Sequence, residues 1–197
     1  GRAKLIHGHG VNMLRYFEPN KVKKTMKINK LFNTKIERDC VFVTGKLNLP
    51  INYFIKKIEK GIVADNNQNF KTNLVSQMTN YHYFNDDKEM SKILLPLYDF
   101  IEQNNLNNNS DFFLNNSWGF KMGFSHYTIK HRHDTSILSG AIMLNKHDQT
   151  LYFPEIEEEL RSEPGNFVLF SGFLKHYNKR NLSDNVRYGL SFNLTSK

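Results

Sequence analysis

Hydrophobic positions change their period partway along this chain. After Pro50, Ile51, Phe54, Ile55 and Ile58 recur at i, i+3, i+4 and i+7, which predicts an amphipathic helix with Pro50 near its start and Gly61 at its end. A second helix is predicted after Asn85-Asp86-Asp87, whose carboxylates suit a helix N-terminus, running through Met90, Ile93, Leu94, Leu97 and Ile101 with a kink at Pro96. Ahead of both, a basic stretch from Lys21 to Arg38 gives way to the β-rich run Asp39 to Gly45. Asn104 to Ser110 is an Asn-rich loop and the most evident internal boundary. Past Asn116 the pattern alternates: Trp118, Phe120, Met122 and Phe124 are expected as core. Ile137 to Leu144, Leu151 to Phe153, Phe167 to Phe170 and Val186 to Leu194 follow as short β-prone runs. Short strands without intervening helices predict a mainly β fold with supporting helices (α+β), an antiparallel sandwich or jelly roll.

The 197 residues predict a single domain spanning 1–197, with a mixed part over 1–110 carrying the two helices and a β-rich core over 111–197 carrying the active site. No apolar run approaches the roughly 20 residues that cross a bilayer, so no membrane partner is expected. The first ten residues lack the apolar segment of a signal peptide. Cys40 is the only cysteine, which excludes an internal disulfide and fits a reducing, cytoplasmic compartment. A net charge of +8 invites a nucleic-acid partner. Twenty of the 27 basic residues are Lys and Asn occurs 25 times, however, which is the usage of an AT-rich coding sequence, so a solvated Lys face is the simpler reading.

Chemistry concentrates between Ser125 and Asn193. On a strand His131 and His133 project from one face about 7 Å apart, a spacing that can chelate one metal ion. His176 follows 43 residues after His133, on a strand that a jelly roll can pair with the first. Three protein groups would then hold the metal on one face and leave positions open for substrate and oxygen. Arg187 stands in the β-rich run Val186 to Asn193 and shares one face with Gly189, Ser191 and Asn193. There are seven Arg against twenty Lys, and an Arg within an apolar strand calls for an anion; its planar fork suits a carboxylate. A small dicarboxylate bridging the metal and Arg187 satisfies both demands.

His131-x-His133, Leu138-Ser-Gly-Ala-Ile-Met-Leu144, Gly165-Asn-Phe-Val-Leu-Phe170 with His176, and Arg187 followed by Leu190-Ser-Phe-Asn193 resemble, in order and spacing, the 2-oxoglutarate- and Fe(II)-dependent oxygenases common in marine phages and bacteria, within the prolyl-hydroxylase-like superfamily. The resemblance extends upstream through Thr72-Asn73, Met78-Thr79 and Ser117-Trp118-Gly119. It implies a double-stranded β-helix (jelly roll, cupin-like), Fe(II) on His131, His133 and His176, O2 as oxidant, and 2-oxoglutarate with its distal carboxylate on Arg187, in the cytoplasm of a bacterium or a phage-infected cell. The product would be a hydroxylated substrate, with release of succinate and CO2, and the substrate class stays open among protein side chains, nucleobases and small molecules.

The wider superfamily places Asp or Glu where His133 stands. Asp134 follows one residue later and reaches the metal only through a bend or bulge. The Ser expected two residues after the Arg is Gly189, so Ser191 takes over part of the carboxylate contact, and Tyr127 is either a second contact or part of the barrel wall. His126, Lys175 and Arg180 are surface or substrate-side groups. Two alternatives stay open: a three-His cupin-like metalloenzyme that does not use 2-oxoglutarate, and a basic β-domain that binds nucleic acid.

Overall fold

The computed structural model describes residues 23–29, 35–64 and 74–197. The opening ten residues and Thr72-Asn73 lie outside the described residues. Helix α1 (Ile51–Ala64) buries Phe54, Ile58, Gly61 and Ile62, one stripe at helical spacing. Gly61 therefore does not end the helix. A Cβ there would stand 2.7 Å from Tyr83 Cζ and 2.8 Å from Thr79 Cγ2, so the missing side chain lets α1 lie against the 79–83 turn. Helix α2 (Lys88–Gln103) starts where its acidic cap predicts: Asp87 Oδ1 accepts the Met90 N–H at 2.9 Å. It runs on through Pro96. The Asn-rich loop is a series of turns in which Asn105, Asn108 and Asn109 adopt φ of 50°, 50° and 58°, the left-handed region that Asn tolerates better than most residues.

Twelve strands complete the described fold: β1 (Lys23–Asn29), β2 (Lys35–Lys46), β3 (Leu74–Val75), β4 (Gln77–Met78), β5 (Phe112–Met122), β6 (Tyr127–Thr128), β7 (Leu138–Met143), β8 (His147–Phe153), β9 (Glu158–Ser162), β10 (Asn166–Ser171), β11 (Tyr177–Asn178) and β12 (Arg187–Ser196). Seven form one antiparallel sheet in the order β1-β2-β10-β7-β12-β5-β4. Opposite it lie β11-β8-β9 and β3-β6, which are joined where the Asn178 N–H donates to Thr128 Oγ1 at 2.6 Å. Early and late strands alternate across the large sheet, as in a jelly roll, and the fold is a mainly β double-stranded β-helix with two helices. The first 110 residues thus supply β1, β2 and β4 to the large sheet besides the helices.

Alternation along the strands sorts residues into two cores. Val41, Val43, Ile142, Phe167, Leu169, Leu190 and Phe192 face the helices and pack with Phe54, Ile58, Ile93 and Leu97. Their neighbours Cys40, Phe42, Ala141, Met143, Val168 and Phe170 face the second sheet and pack with Leu151, Phe153 and Leu160. At about 25 cal/mol per Å² of apolar surface, each fully buried Phe or Ile contributes roughly 1.5–3 kcal/mol, so the helix-side core, with 22 buried residues against 10 among those described, is the larger source of stability. Trp118, Phe120 and Met122 are buried with Met78, as expected. Phe124 is not: β5 stops at Met122, the chain turns through Ser125 at φ 69°, and the ring is 61% exposed. Among the described residues no helix is long and apolar enough to cross a membrane.

Candidate metal and carboxylate site

His131 and His133 stand on a loop, not on a regular strand, yet their rings converge. The His131 N–H donates to the His176 carbonyl at 3.1 Å and the His176 N–H returns a bond to the His131 carbonyl at 2.9 Å. This antiparallel bridge sets the two residues directly opposite each other, where side chains project to the same side. The His133 N–H is held by the Gly172 carbonyl at 2.8 Å. One ligand-capable nitrogen from each ring lies within 4.8 Å of the others.

The outer ring nitrogens fix which atoms remain free. His131 Nδ1 lies 2.7 Å from the Ile129 carbonyl and His176 Nδ1 lies 3.0 Å from the Leu174 carbonyl. A carbonyl can only accept, so each Nδ1 carries the proton and each Nε2 keeps its lone pair. Burial pulls all three imidazole pKa values below the ordinary value, His133 to about 4 and His176 well down. The rings are therefore neutral at pH 7, the form that ligates metal. Nε2 of His133 and Nε2 of His176 are 3.3 Å apart. Two nitrogens on one ion at about 2.1 Å each are about 3.0–3.4 Å apart in octahedral or tetrahedral geometry, so the pair fits a single first-row metal. Asp134 does not join them. Its carboxylate pairs with Arg132 Nε at 2.6 Å and is 67% exposed.

The same cavity, about 360 Å³ in volume, is lined at its inner end by Arg187. This side chain is fully buried. Nη1 donates to Asn178 Oδ1 at 2.6 Å and to Gln149 Oε1 at 3.3 Å, and Nη2 reaches only Met143 Sδ at 3.1 Å. Nε has no partner, and no described carboxylate pairs with the guanidinium. Burial alone drags its pKa down to about 9. The guanidinium is thus enclosed by amides, thioethers and the face of Phe120, 5.4 Å away, with no described carboxylate to balance its charge.

Ser191 lines the cavity, as the parity of β12 predicts. Tyr127 does not; its ring lies under the Arg180 guanidinium at 4.5 Å. Gly189 has a steric reason: a Cβ there would be 2.2 Å from Phe120 Cζ, so the ring of Phe120 fills the space a serine would need. His126 accepts the Gly123 N–H within its own turn, Arg180 holds Ser125, and Lys175 faces Glu155.

Residues without a sequence motif complete the site. Thr128 Oγ1 accepts from both Asn178 N–H and Asn178 Nδ2, at 2.6 and 3.1 Å. Both of its lone pairs are thereby occupied, which leaves the hydroxyl hydrogen for the cavity that Thr128 lines. Asn178 follows His176 by two residues and so shares its side of the chain, a signal that spacing carries. Gln149 falls at the buried parity of β8 with Leu151 and Phe153, and a polar residue there is the corresponding hint.

No protein-family model and no curated protein matches the chain. Solved structures match it in fold. The viral collagen prolyl hydroxylase of Paramecium bursaria Chlorella virus-1, in its 2-oxoglutarate complex, superposes with a TM-score of 0.60 at 10% identity, covering 75% of this chain and 90% of that one. A Pseudomonas putida prolyl-4-hydroxylase gives 0.60 at 13% identity, covering 79% and 92%. The non-heme α-ketoglutarate-dependent carbocyclase SnoK from nogalamycin biosynthesis gives 0.60 at 12% identity, covering 79% of each chain.

Proposed function

We propose that the chain is a 2-oxoglutarate- and Fe(II)-dependent oxygenase that hydroxylates its substrate. The observation that carries this reading is the fully buried Arg187, whose Nε has no partner and which pairs with no described carboxylate, in one cavity with three convergent neutral imidazoles. The fold shared with enzymes that use this cosubstrate supports it.

His131, His133 and His176 would hold Fe(II) through Nε2, with the Ile129 and Leu174 carbonyls fixing two of the rings. The Nε–H of Arg187 and the hydroxyl of Thr128 would receive the distal carboxylate of 2-oxoglutarate, with Ser191 beside them. Charge-assisted bonds in so dry a place are strong, and Asn178 holds both donors in position at once. When bound, iron and cosubstrate supply the oxidation: O2 and 2-oxoglutarate yield succinate, carrying one oxygen atom, CO2, and a hydroxyl group on the substrate. Met143, Leu151 and Phe170 wall the cavity and exclude water from the reacting groups. Three neutral ligands leave the metal one charge more positive than two His and a carboxylate would, which favours the dianionic cosubstrate.

Anaerobic addition of Fe(II) and 2-oxoglutarate tests this. The expected result is the weak visible charge-transfer band of a bidentate 2-oxo acid, with succinate formed once O2 and a substrate are admitted. Arg187→Ala should weaken 2-oxoglutarate binding about 10²–10³-fold, the scale of one buried charged partner lost. Fe(II) binding without any band would reject the reading. It would favour a three-His metalloenzyme in which Arg187 holds a substrate carboxylate directly, a second reading suggested by the wholly neutral ligand set.

A further inference from the structure

Beside the metal-holding rings the cavity has a second wall that the cosubstrate reading does not use. It is made by Met78, Tyr81, Asn115, Asn116 and Trp118. Tyr81 and Trp118 meet edge to face at 5.2 Å and form an aromatic surface. Next to it β5 carries an irregularity: Asn193 of β12 faces Asn116 but Leu194 faces Leu114, so Asn115 is an extra residue. Such bulges commonly re-aim a side chain at the edge of a site.

A short relay orients Asn116. The buried Ser139 hydroxyl donates to Asn193 Oδ1 at 2.7 Å, and Asn193 Nδ2 donates to Asn116 Oδ1 at 2.8 Å. The acceptor end of Asn116 is thus engaged. Its Nδ2 has no acceptor among the described residues, and neither has the indole N–H of Trp118, so both stand on the cavity wall as unused donors. Charge is missing from this wall. Of the charged residues lining the cavity, Arg132 and Asp134 neutralise each other at 2.6 Å, and Arg187 lies at the inner end.

We infer that Asn116, oriented by Ser139 and Asn193, is a specificity-determining residue, and that the substrate group it meets is uncharged and offers an oxygen acceptor beside an apolar face. The inference deepens the reading of this cavity as the active site. A charged group here would have no counter-ion, and a group with donors alone would leave both Asn116 and Trp118 unsatisfied.

Trp118 is the only tryptophan of the chain and reports on this wall directly. Its emission is followed on the Fe(II)- and 2-oxoglutarate-loaded protein without O2 while cyclohexanone, cyclohexanecarboxylate or cyclohexylammonium is titrated in. Three rings of similar size then differ only in their polar group. Cyclohexanone should give a saturable change at concentrations at least about tenfold below either ion, the worth of one satisfied hydrogen bond against a desolvated charge. Asn116→Asp keeps the acceptor that Asn193 needs, removes the donors and adds a negative charge. It should weaken cyclohexanone about tenfold and turn the preference toward cyclohexylammonium. Ser139→Ala, away from the probe, frees the Asn193 amide to rotate and should weaken cyclohexanone by a smaller factor. Equal binding of the three probes, or an Asn116→Asp protein that binds cyclohexanone as the parent does, overturns the inference. The probe titration needs no turnover and can be repeated without cosubstrate, so a missing charge-transfer band with intact cyclohexanone selectivity would reject the cosubstrate reading and leave this one standing.

Discussion

Arg187 illustrates how a single buried residue can be costly to the protein that carries it. A guanidinium with an unpartnered Nε and no carboxylate nearby destabilises the fold until an anion arrives. Arg187→Met, which fills a similar volume without charge, should therefore unfold at the same or a higher temperature than the parent when no ligand is present. The parent alone should gain roughly 5–10 °C at a hundredfold excess of 2-oxoglutarate over its dissociation constant. Calorimetry with and without 2-oxoglutarate checks both halves, and an equal ligand shift in the variant would separate Arg187 from the cosubstrate. The three His and Arg187 were legible in the sequence because their chemistry is rare and their spacing suggestive. Thr128 was not, since its role depends on Asn178, fifty residues away, using up its lone pairs. No local pattern encodes that.

Elements were legible to the extent that a period governed them. Both helices follow their apolar stripe, and Asp87 caps α2 as its position before that stripe suggests. Gly61 and Phe124 show where periodicity fails: one glycine serves a contact with Tyr83, and the other alternation simply outlasts its strand. Asp87 does more than cap. Burial pushes its carboxyl up, but hydrogen bonds from Lys57, Tyr53 and the Met90 N–H outweigh that and hold it below the usual range. A lowered folded pKa means stability that is present above the unfolded carboxylate value near 4 and is lost as pH falls through the folded one. Asp87→Asn, which can still cap, should flatten that acid decline, while Asp87→Ala should cost about 1–2 kcal/mol at neutral pH through the lost cap. Urea unfolding at pH 7 and below pH 4 distinguishes them. Where α1 crosses β5, a Cβ on Gly119 would stand 2.3 Å from Ile58 Cγ1. Gly119→Ala should cost about 1–3 kcal/mol in the same assay.

The whole molecule keeps its larger apolar core on the helix side of the large sheet and its candidate chemistry on the other side, beside the smaller core. Helices cover the outer face of the large sheet, a second apolar core fills part of the sandwich, and the cavity occupies the remainder. The helix-side core lies across the large sheet from the three imidazoles, whereas the second core meets His176 at Phe153 and Phe170. A chelator should leave far-ultraviolet circular dichroism and cooperative unfolding intact and remove only a ligand-dependent increment of melting temperature. Loss of the cooperative transition would instead make the ion structural. Of the arginines that line the cavity, Arg187 is enclosed and Arg132 is paired with Asp134. The reciprocal backbone bonds between His131 and His176 bear on what the centre asks of an incoming ion. These two bonds hold two of the three ring-bearing residues side by side, so an ion taken by the rings would not have to order that segment. Coordination energy that a floppy site would dissipate in ordering the chain would then be retained as affinity.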